Sequence, residues 1–257
     1  MSDATPVKTP AVTGLISDST PAPADAPYAS LVGSLLYASV ATRPDISEAV
    51  ARLCRSMKNP TVSDWTAAKR VLRYLKGTSS QGITFSAGPS HSPVLEAWAD
   101  AAWADSPDRK SQTGYIILLN NGAVSWKSTR QSVVALSTAE AEYISLASTC
   151  MEINFLRQLL QELGHPQTTP TLVHEDNNAA IVMATNPTTS AAARHIDIRL
   201  HFVRDYIQRN LVRITHCPTG DMLADALTKP LPKPQFEALT KRFMGGCPNS
   251  PAHEEGC

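Results

Sequence analysis

The sequence predicts an α/β fold: a mixed five-stranded sheet flanked by helices, preceded by a small helical segment. Three strand-like runs stand in succession, the second and third joined by Asn120-Asn121-Gly122, a tight-hairpin signal. After them, helical and strand-like patterns alternate, as crossover connections between parallel strands require. Before them, two stretches carry apolar residues at helical spacing.

Taken in order, residues 1–27 are rich in Pro, Ala, Ser and Thr without apolar periodicity, and read as a disordered lead-in. Residues 28–92 read as a helical connecting segment. Within it, TRPDISEAVARLCRSM offers a capping box at Asp45 and Glu48, with Ile46, Ala49, Val50, Leu53 and Met57 on one face. A second helix follows the Asn59-Pro60 break, groups Trp65, Ala68, Val71, Leu72 and Leu75, and stops at Gly77. The Gly-, Ser- and Pro-rich residues 79–92 mark a boundary, with Gly82-Ile83-Thr84-Phe85 as a candidate short strand. A separate domain is expected over residues 93–232, able to fold when cut near Ser92.

In that domain VLEAWAD, GYIILLN and AVSWKS are the first three strands. Ser137, with Glu140 three residues on, opens a long helix that stops at Gly164. TLVHED is a fourth strand, followed by a short helix, a helix over HIDIRLHFVRDYIQ, the fifth strand LVRITH and a last helix over DMLADALT. Residues 233–257 read as a C-terminal tail.

Composition limits the partners. Lys+Arg and Asp+Glu are 23 each in 257 residues, so no global field draws the chain to a polyanion and any such site must be local. The five cysteines are scattered, odd in number and without a CxxC pair, which argues against zinc and for reduced thiols inside the cell. No apolar run has the length of a membrane span and no signal-peptide pattern opens the chain, so a cytoplasmic or nuclear protein without membrane contact is expected.

Four acids occupy four differently patterned stretches: Asp100 in LEAWAD, Glu142 in STAEAEY, Asp176 in VHEDNNA and Asp225 in LADALTK. The first and third end strand-like runs, and the others lie in helical patterns. Carboxylates so placed can converge on one sheet edge, where they would repel unless cations sat between them. Glu140 competes with Glu142, but a capping box would use Glu140 and leave Glu142 free to point elsewhere. Asp105 and Asp108 compete with Asp100, but a Ser-Pro-Asp turn favours solvated acids.

WADAAWADSPDRKSQTGYIILLNNGAVSWKSTRQSVVALSTAEAEYISLA, with HEDNNAAI, ARHIDIRLHFVRD and CPTGDMLADALTKPL, resembles the ribonuclease H domain at the C-terminus of copia-type LTR retrotransposon Pol polyproteins. YASLVGSLLYASVATRPDISEAVARLCRSMKNP and WTAAKRVLRYLKGT are similar to the segment joining polymerase to ribonuclease H in that family. Several long motifs in the right order, covering about 28–244, make the resemblance specific. It implies an RNase H-like fold and hydrolysis of the RNA strand of an RNA–DNA hybrid. The implied catalytic and metal-binding quartet is Asp100, Glu142, Asp176 and Asp225, with two Mg2+ ions for which Mn2+ can substitute.

The family often carries a second acid two residues beyond the first, and here that residue is Ala102. His216 stands where RNase H enzymes often have a mobile histidine for proton transfer or product release. Ser111, Gln112, Thr113 and Asn177 are candidate substrate contacts, and Lys127 and Arg130 flank the third strand. Lys69, Arg70, Arg73 and Lys76 form a basic stripe that reads equally as a solvated helix face or a hybrid track. His195 and His201 are not assigned to metal, since a lone helix histidine is more often packed or solvated. No YxDD-type polymerase motif is present, so the polymerase domain is an expected partner outside this chain, in a retrotransposon particle or the nucleus. The alternative is a catalytically silent or domesticated fragment that binds nucleic acid or a partner; an integrase-like strand transferase fits the LADALTK motif less well.

Overall fold

A computed structural model of the protein describes residues 3–14, 18–86, 94–105, 108–186 and 197–244. Its strands are β1 (Leu95–Ala102), β2 (Gln112–Leu119), β3 (Gly122–Arg130), β4 (Thr171–Glu175) and β5 (Val212–His216). Its helices are α1 (Tyr28–Ala41), α2 (Ser47–Arg55), α3 (Val62–Gly77), α4 (Thr138–Glu162), α5 (Asn178–Thr185), α6 (Asp197–Gln208), α7 (Asp225–Thr228) and α8 (Lys233–Phe243).

The strands form one mixed sheet in the order β3-β2-β1-β4-β5. β1, β2 and β3 are antiparallel, whereas β4 and β5 run parallel to β1. Asn120 and Asn121 both take positive φ, 48° and 67°, the geometry whose twist suits a two-residue hairpin. Phe85 lies against the next residue: a Cβ on Gly122 would stand 2.4 Å from its ring. Residues 81–86 form no strand, and Thr84 and Ser86 instead donate to Met244 O and Asn120 O.

Period-two alternation sends β1 side chains to both faces of the sheet, and each face is covered. Ala97, Ala99, Tyr115 and Ile117 pack with α4 and α6 through Tyr143, Leu146, Ile153, Leu200 and Val203. Trp98, Ile116 and Leu118 on the other face share one core with α1, α2, α3, α7 and α8, including Val32, Val50, Val71, Leu227 and Phe243. Trp126 Nε1 also donates to Ser39 O at 2.7 Å, tying edge strand β3 to α1. The boundary expected near residue 92 therefore does not separate two cores: the upstream helices are one layer of the sheet domain.

Two further expectations change. Much of the lead-in runs along α3 instead of standing free. Arg73 donates to Thr5 O, Lys76 to Ala4 O and Arg70 to Thr9 Oγ1, while Val7 N donates to Arg73 O and Val62 N to Thr20 O. This contact occupies most of the basic stripe, and Lys69 lies over the Trp65 ring. The C-terminal tail begins as α8, whose Phe236, Leu239 and Phe243 are buried.

The first capping box is also replaced. Asp45 is buried and accepts from Arg43 through both carboxylate oxygens and from Tyr74 Oη at 2.6 Å, pinning the α1–α2 turn to α3. A capping box forms instead at Thr61 and Asp64. Residues 87–93, His195, Cys247 and Cys257 lie outside the described residues, as does any structure expected there.

A chain shortened to begin at residue 93 would expose the whole face built on Trp98, Ile116 and Leu118. It is expected to lose cooperative thermal unfolding by circular dichroism while the full chain retains it. A cooperative melt of the shortened chain would show that α7 and α8 suffice to cover that face.

Candidate active site

Parallel pairing of β1 with β4, with Trp98 opposite His174, brings both strands to the same sheet edge, and Asp100 and Asp176 each follow two residues later. α4 supplies the next acid. Ser137 caps it, accepting from Glu140 N at 3.2 Å, and the Glu140 carboxylate accepts from Leu136 N at 2.9 Å. Glu140 is held at the helix start, and Glu142, about 200° further round the helix, reaches the sheet edge. Oxygens of Asp100, Glu142 and Asp176 all lie within 4.8 Å of one another.

Asp225 arrives from the opposite face at the start of α7. In place of the last helix expected over DMLADALT stand a 3-10 turn at Thr219–Asp221 and the four-residue α7. α7 comes this close because β2 carries glycine opposite Asp100: a Cβ on Gly114 would stand 2.5 Å from Thr228 Cγ2 and 3.1 Å from Ala224 O and Leu227 Cβ. Asp225 lies outside the three-acid group but is coupled to it through Asp100.

Asp100, Asp176 and Asp225 each have a neighbour that orients them. Thr228 Oγ1 donates to Asp100 Oδ2, and Thr219 Oγ1 donates to Asp176 Oδ2 at 2.9 Å. Lys229 Nζ pairs with Asp225 Oδ1 at 2.7 Å, and Gln235 of α8 donates to Asp225 Oδ2 at 3.3 Å. A fifth carboxylate, Glu175, is fully buried beside the cluster; its Oε1 accepts from Asn177 N at 3.1 Å.

Confinement raises the proton affinity of these groups. Burial, then the charges of Asp100, Glu175 and Asp176, push the Glu142 carboxyl up to about 11, against a backbone hydrogen bond from Ala101. Burial and Asp100 push Asp225 up to about 7, with Lys229 opposing. Burial raises Glu175 well above the usual carboxylate range; the Asn177 amide opposes this, and Asp100 and Asp176 add to it.

Glu142 Oε2 and Glu175 Oε2 are buried without a hydrogen-bond partner. Carboxylate oxygens left unsatisfied in a cluster of like charge fit a hard divalent cation, and Asp100, Glu142 and Asp176 would hold it.

The predicted substrate contacts fare differently. Ser111 and Thr113 are buried: Ser111 Oγ accepts from Ala104 N at 3.2 Å, and Thr113 Oγ1 accepts from Gln131 Nε2 at 3.1 Å. They support the loop and strand beside Asp100 and present no contact surface, because both pack inward where the chain re-enters the sheet. Gln112 is also buried and accepts from Arg55 at 2.7 Å. Asn177 is half-buried next to Asp176, its Oδ1 capping α5 by accepting from Ala179 N and Ala180 N. His216 is exposed at the end of β5, opposite Glu175 in register.

Asp105 is paired with Arg52 of α2 at 2.9 Å, and Asp108 with Arg130 at 3.1 Å, so neither belongs to the cluster. Glu175, Thr219, Thr228, Lys229 and Gln235 were not singled out from the sequence. Alternation along β4 could have placed Glu175 inward with Thr171 and Val173.

No protein-family model matches the chain. It is 41% identical over 223 residues to the retrovirus-related Pol polyprotein from transposon TNT 1-94 of Nicotiana tabacum, covering 86% of this chain and 16% of that one. It is 40% identical over 247 residues to the retrovirus-related Pol polyprotein from transposon RE2 of Arabidopsis thaliana, covering 95% of this chain and 17% of that one. The chain thus spans about one sixth of the length of these curated relatives. Among solved structures, LC11-RNase H1, isolated from compost, aligns over 52% of this chain and 92% of its own, with 14% identity and a TM-score of 0.41.

Because folding raises the Glu142 pKa, this carboxyl keeps its proton in the folded metal-free protein where the unfolded chain has lost it, and its contribution to stability falls as pH rises above about 4.5. Glu142→Gln removes that contribution. In EDTA at about pH 8 the variant is expected to melt roughly 5 °C above the parent, with the gap closing near pH 4. Equal melting at about pH 8 would mean that the carboxylate is not confined as its burial implies.

Proposed function

As the chain belongs to the copia-type retrotransposon Pol polyproteins, we propose that it is a ribonuclease H acting on RNA–DNA hybrid, hydrolysing the RNA strand during reverse transcription. The convergence of Asp100, Glu142 and Asp176, oxygens within 4.8 Å and Glu142 Oε2 unsatisfied, carries this reading. Acids held so close at one end of the sheet are costly in a protein that only binds, because like charges without a counter-ion destabilise the fold.

Asp100, Glu142, Asp176 and Asp225 are proposed to bind Mg2+. When bound, it would acidify the attacking water and stabilise the leaving 3′-oxygen of an in-line displacement. The protein supplies position. Thr228 and Thr219 fix the Asp100 and Asp176 side chains, and Gln235 helps fix Asp225, so the oxygens are set before substrate arrives. Burial of Asp100, Glu142 and Asp225 keeps water from the inner side of the cluster. Lys127 and Arg130, exposed on edge strand β3, are proposed to meet hybrid phosphates.

Cleavage of a labelled RNA–DNA hybrid in Mg2+ tests the proposal, with duplex DNA and single-stranded RNA as controls. The hybrid alone should be cut, and Asp100→Asn should slow cutting by about a hundredfold or more while hybrid binding persists. Hybrid binding without cutting by the folded parent chain would favour a catalytically silent fragment.

A further inference from the structure

Among the acids at this edge, Asp225 is engaged differently. Asp100, Glu142 and Asp176 approach one another with no cationic side chain among their hydrogen-bond donors in the described residues, whereas Asp225 Oδ1 holds the Lys229 ammonium at 2.7 Å. We infer that Lys229 is a built-in counter-cation that occupies the Asp225 side of the cluster and competes there with a second divalent ion. The inference rests on the metal-centre reading above and adds an order of loading: a first ion at Asp100, Glu142 and Asp176 with Lys229 in place, and a second beside Asp225 only when Lys229 withdraws.

Two features support it. α7 is a single turn pressed onto Gly114, which fixes Asp225 and Thr228 against Asp100 and sets Lys229 one residue beyond Thr228. The two partners differ in freedom: the Asp225 side chain is 1% exposed and the Lys229 side chain 41%, so the lysine can swing into solvent while the carboxylate stays. A mobile monocation on a rigid buried carboxylate is a group that a divalent ion can displace and that returns when the ion leaves.

The test is calorimetric titration of Mn2+ into the full chain, the Lys229→Met variant and the charge-retaining Lys229→Arg variant. The parent is expected to bind one ion with a second about tenfold or more weaker. Lys229→Met should tighten the second by about tenfold, and Lys229→Arg should behave as the parent does. In EDTA, Lys229→Met should melt below the parent, and Mn2+ should raise its melting temperature by more than it raises the parent's, which loss of a merely structural contact would not do. Lys229→Gln provides the same readings if the methionine variant does not melt cooperatively. Unchanged or weakened binding of the second ion in the neutral variants overturns the inference while leaving the metal centre standing. A folded parent that binds no Mn2+ overturns the metal-centre reading and this inference with it.

Discussion

The repulsion among carboxylates gathered at one sheet edge is the constraint on which the rest of the structure depends. Asp100, Glu142, Glu175 and Asp225 are all buried; the charge of Asp100 raises the proton affinity of the other three, and that of Glu175 raises the proton affinity of Glu142. Left alone, such a group would separate or protonate. It stays together because its members are mounted on different rigid elements, a central strand, a 25-residue helix and a parallel neighbouring strand, each held by its own packing. α7 alone could not do this, since four residues make one turn with little stability of their own. Its position comes from contact with β2 at Gly114, where any larger residue would drive Thr228 and Leu227 off the sheet.

Gly114 is held from both sides. On one face Ser145 of α4 donates to its carbonyl at 3.1 Å, and on the other α7 lies directly against its α-carbon. The residue paired with Asp100 across the sheet is therefore contacted by both helical layers. Acids from opposite faces thus meet beside this strand pair, the side chains of Glu142 and Asp225 reaching it from either side of the sheet.

Much of this was legible in the sequence, for identifiable reasons. Strand alternation, the Asn120-Asn121-Gly122 turn and the Ser137 cap are local signals, and local chemistry decides them. The preference for Glu142 over Glu140 followed from capping alone, and Glu140 is indeed engaged at the helix start. What escaped depends on contacts distant in sequence. The lead-in is an extended strap whose backbone carbonyls satisfy α3 side chains, and a strap of that kind has no periodicity to read. Asp45 looked like a cap because its spacing to Glu48 fits one, but Arg43 and Tyr74 offered a buried partner set that only the fold assembles. α8 was obscured by Pro230, Pro232 and Pro234, although Phe236, Leu239 and Phe243 carry helical spacing and Pro234 suits a first turn.

The upstream helices have a closer bearing on the carboxylates than their place in the sequence suggests. Arg55 of α2 donates to Gln112 Oε1, Gln112 Nε2 donates to Ser128 Oγ at 2.9 Å, and Ser128 Oγ donates to Leu227 O at 2.6 Å. That chain of bonds crosses from the connecting segment through β2 and β3 to the residue preceding Thr228, whose hydroxyl orients Asp100. Arg52, one turn earlier on α2, bonds Glu48 and Asp105 and so anchors the turn that follows β1. α2 thus braces two segments bordering Asp100, the loop after β1 and the last turn of α7. Hydrogen bonds in a partly buried network are costly to leave half-made. The helices that read in sequence as a linker are, in the folded protein, part of what keeps the acidic edge in place.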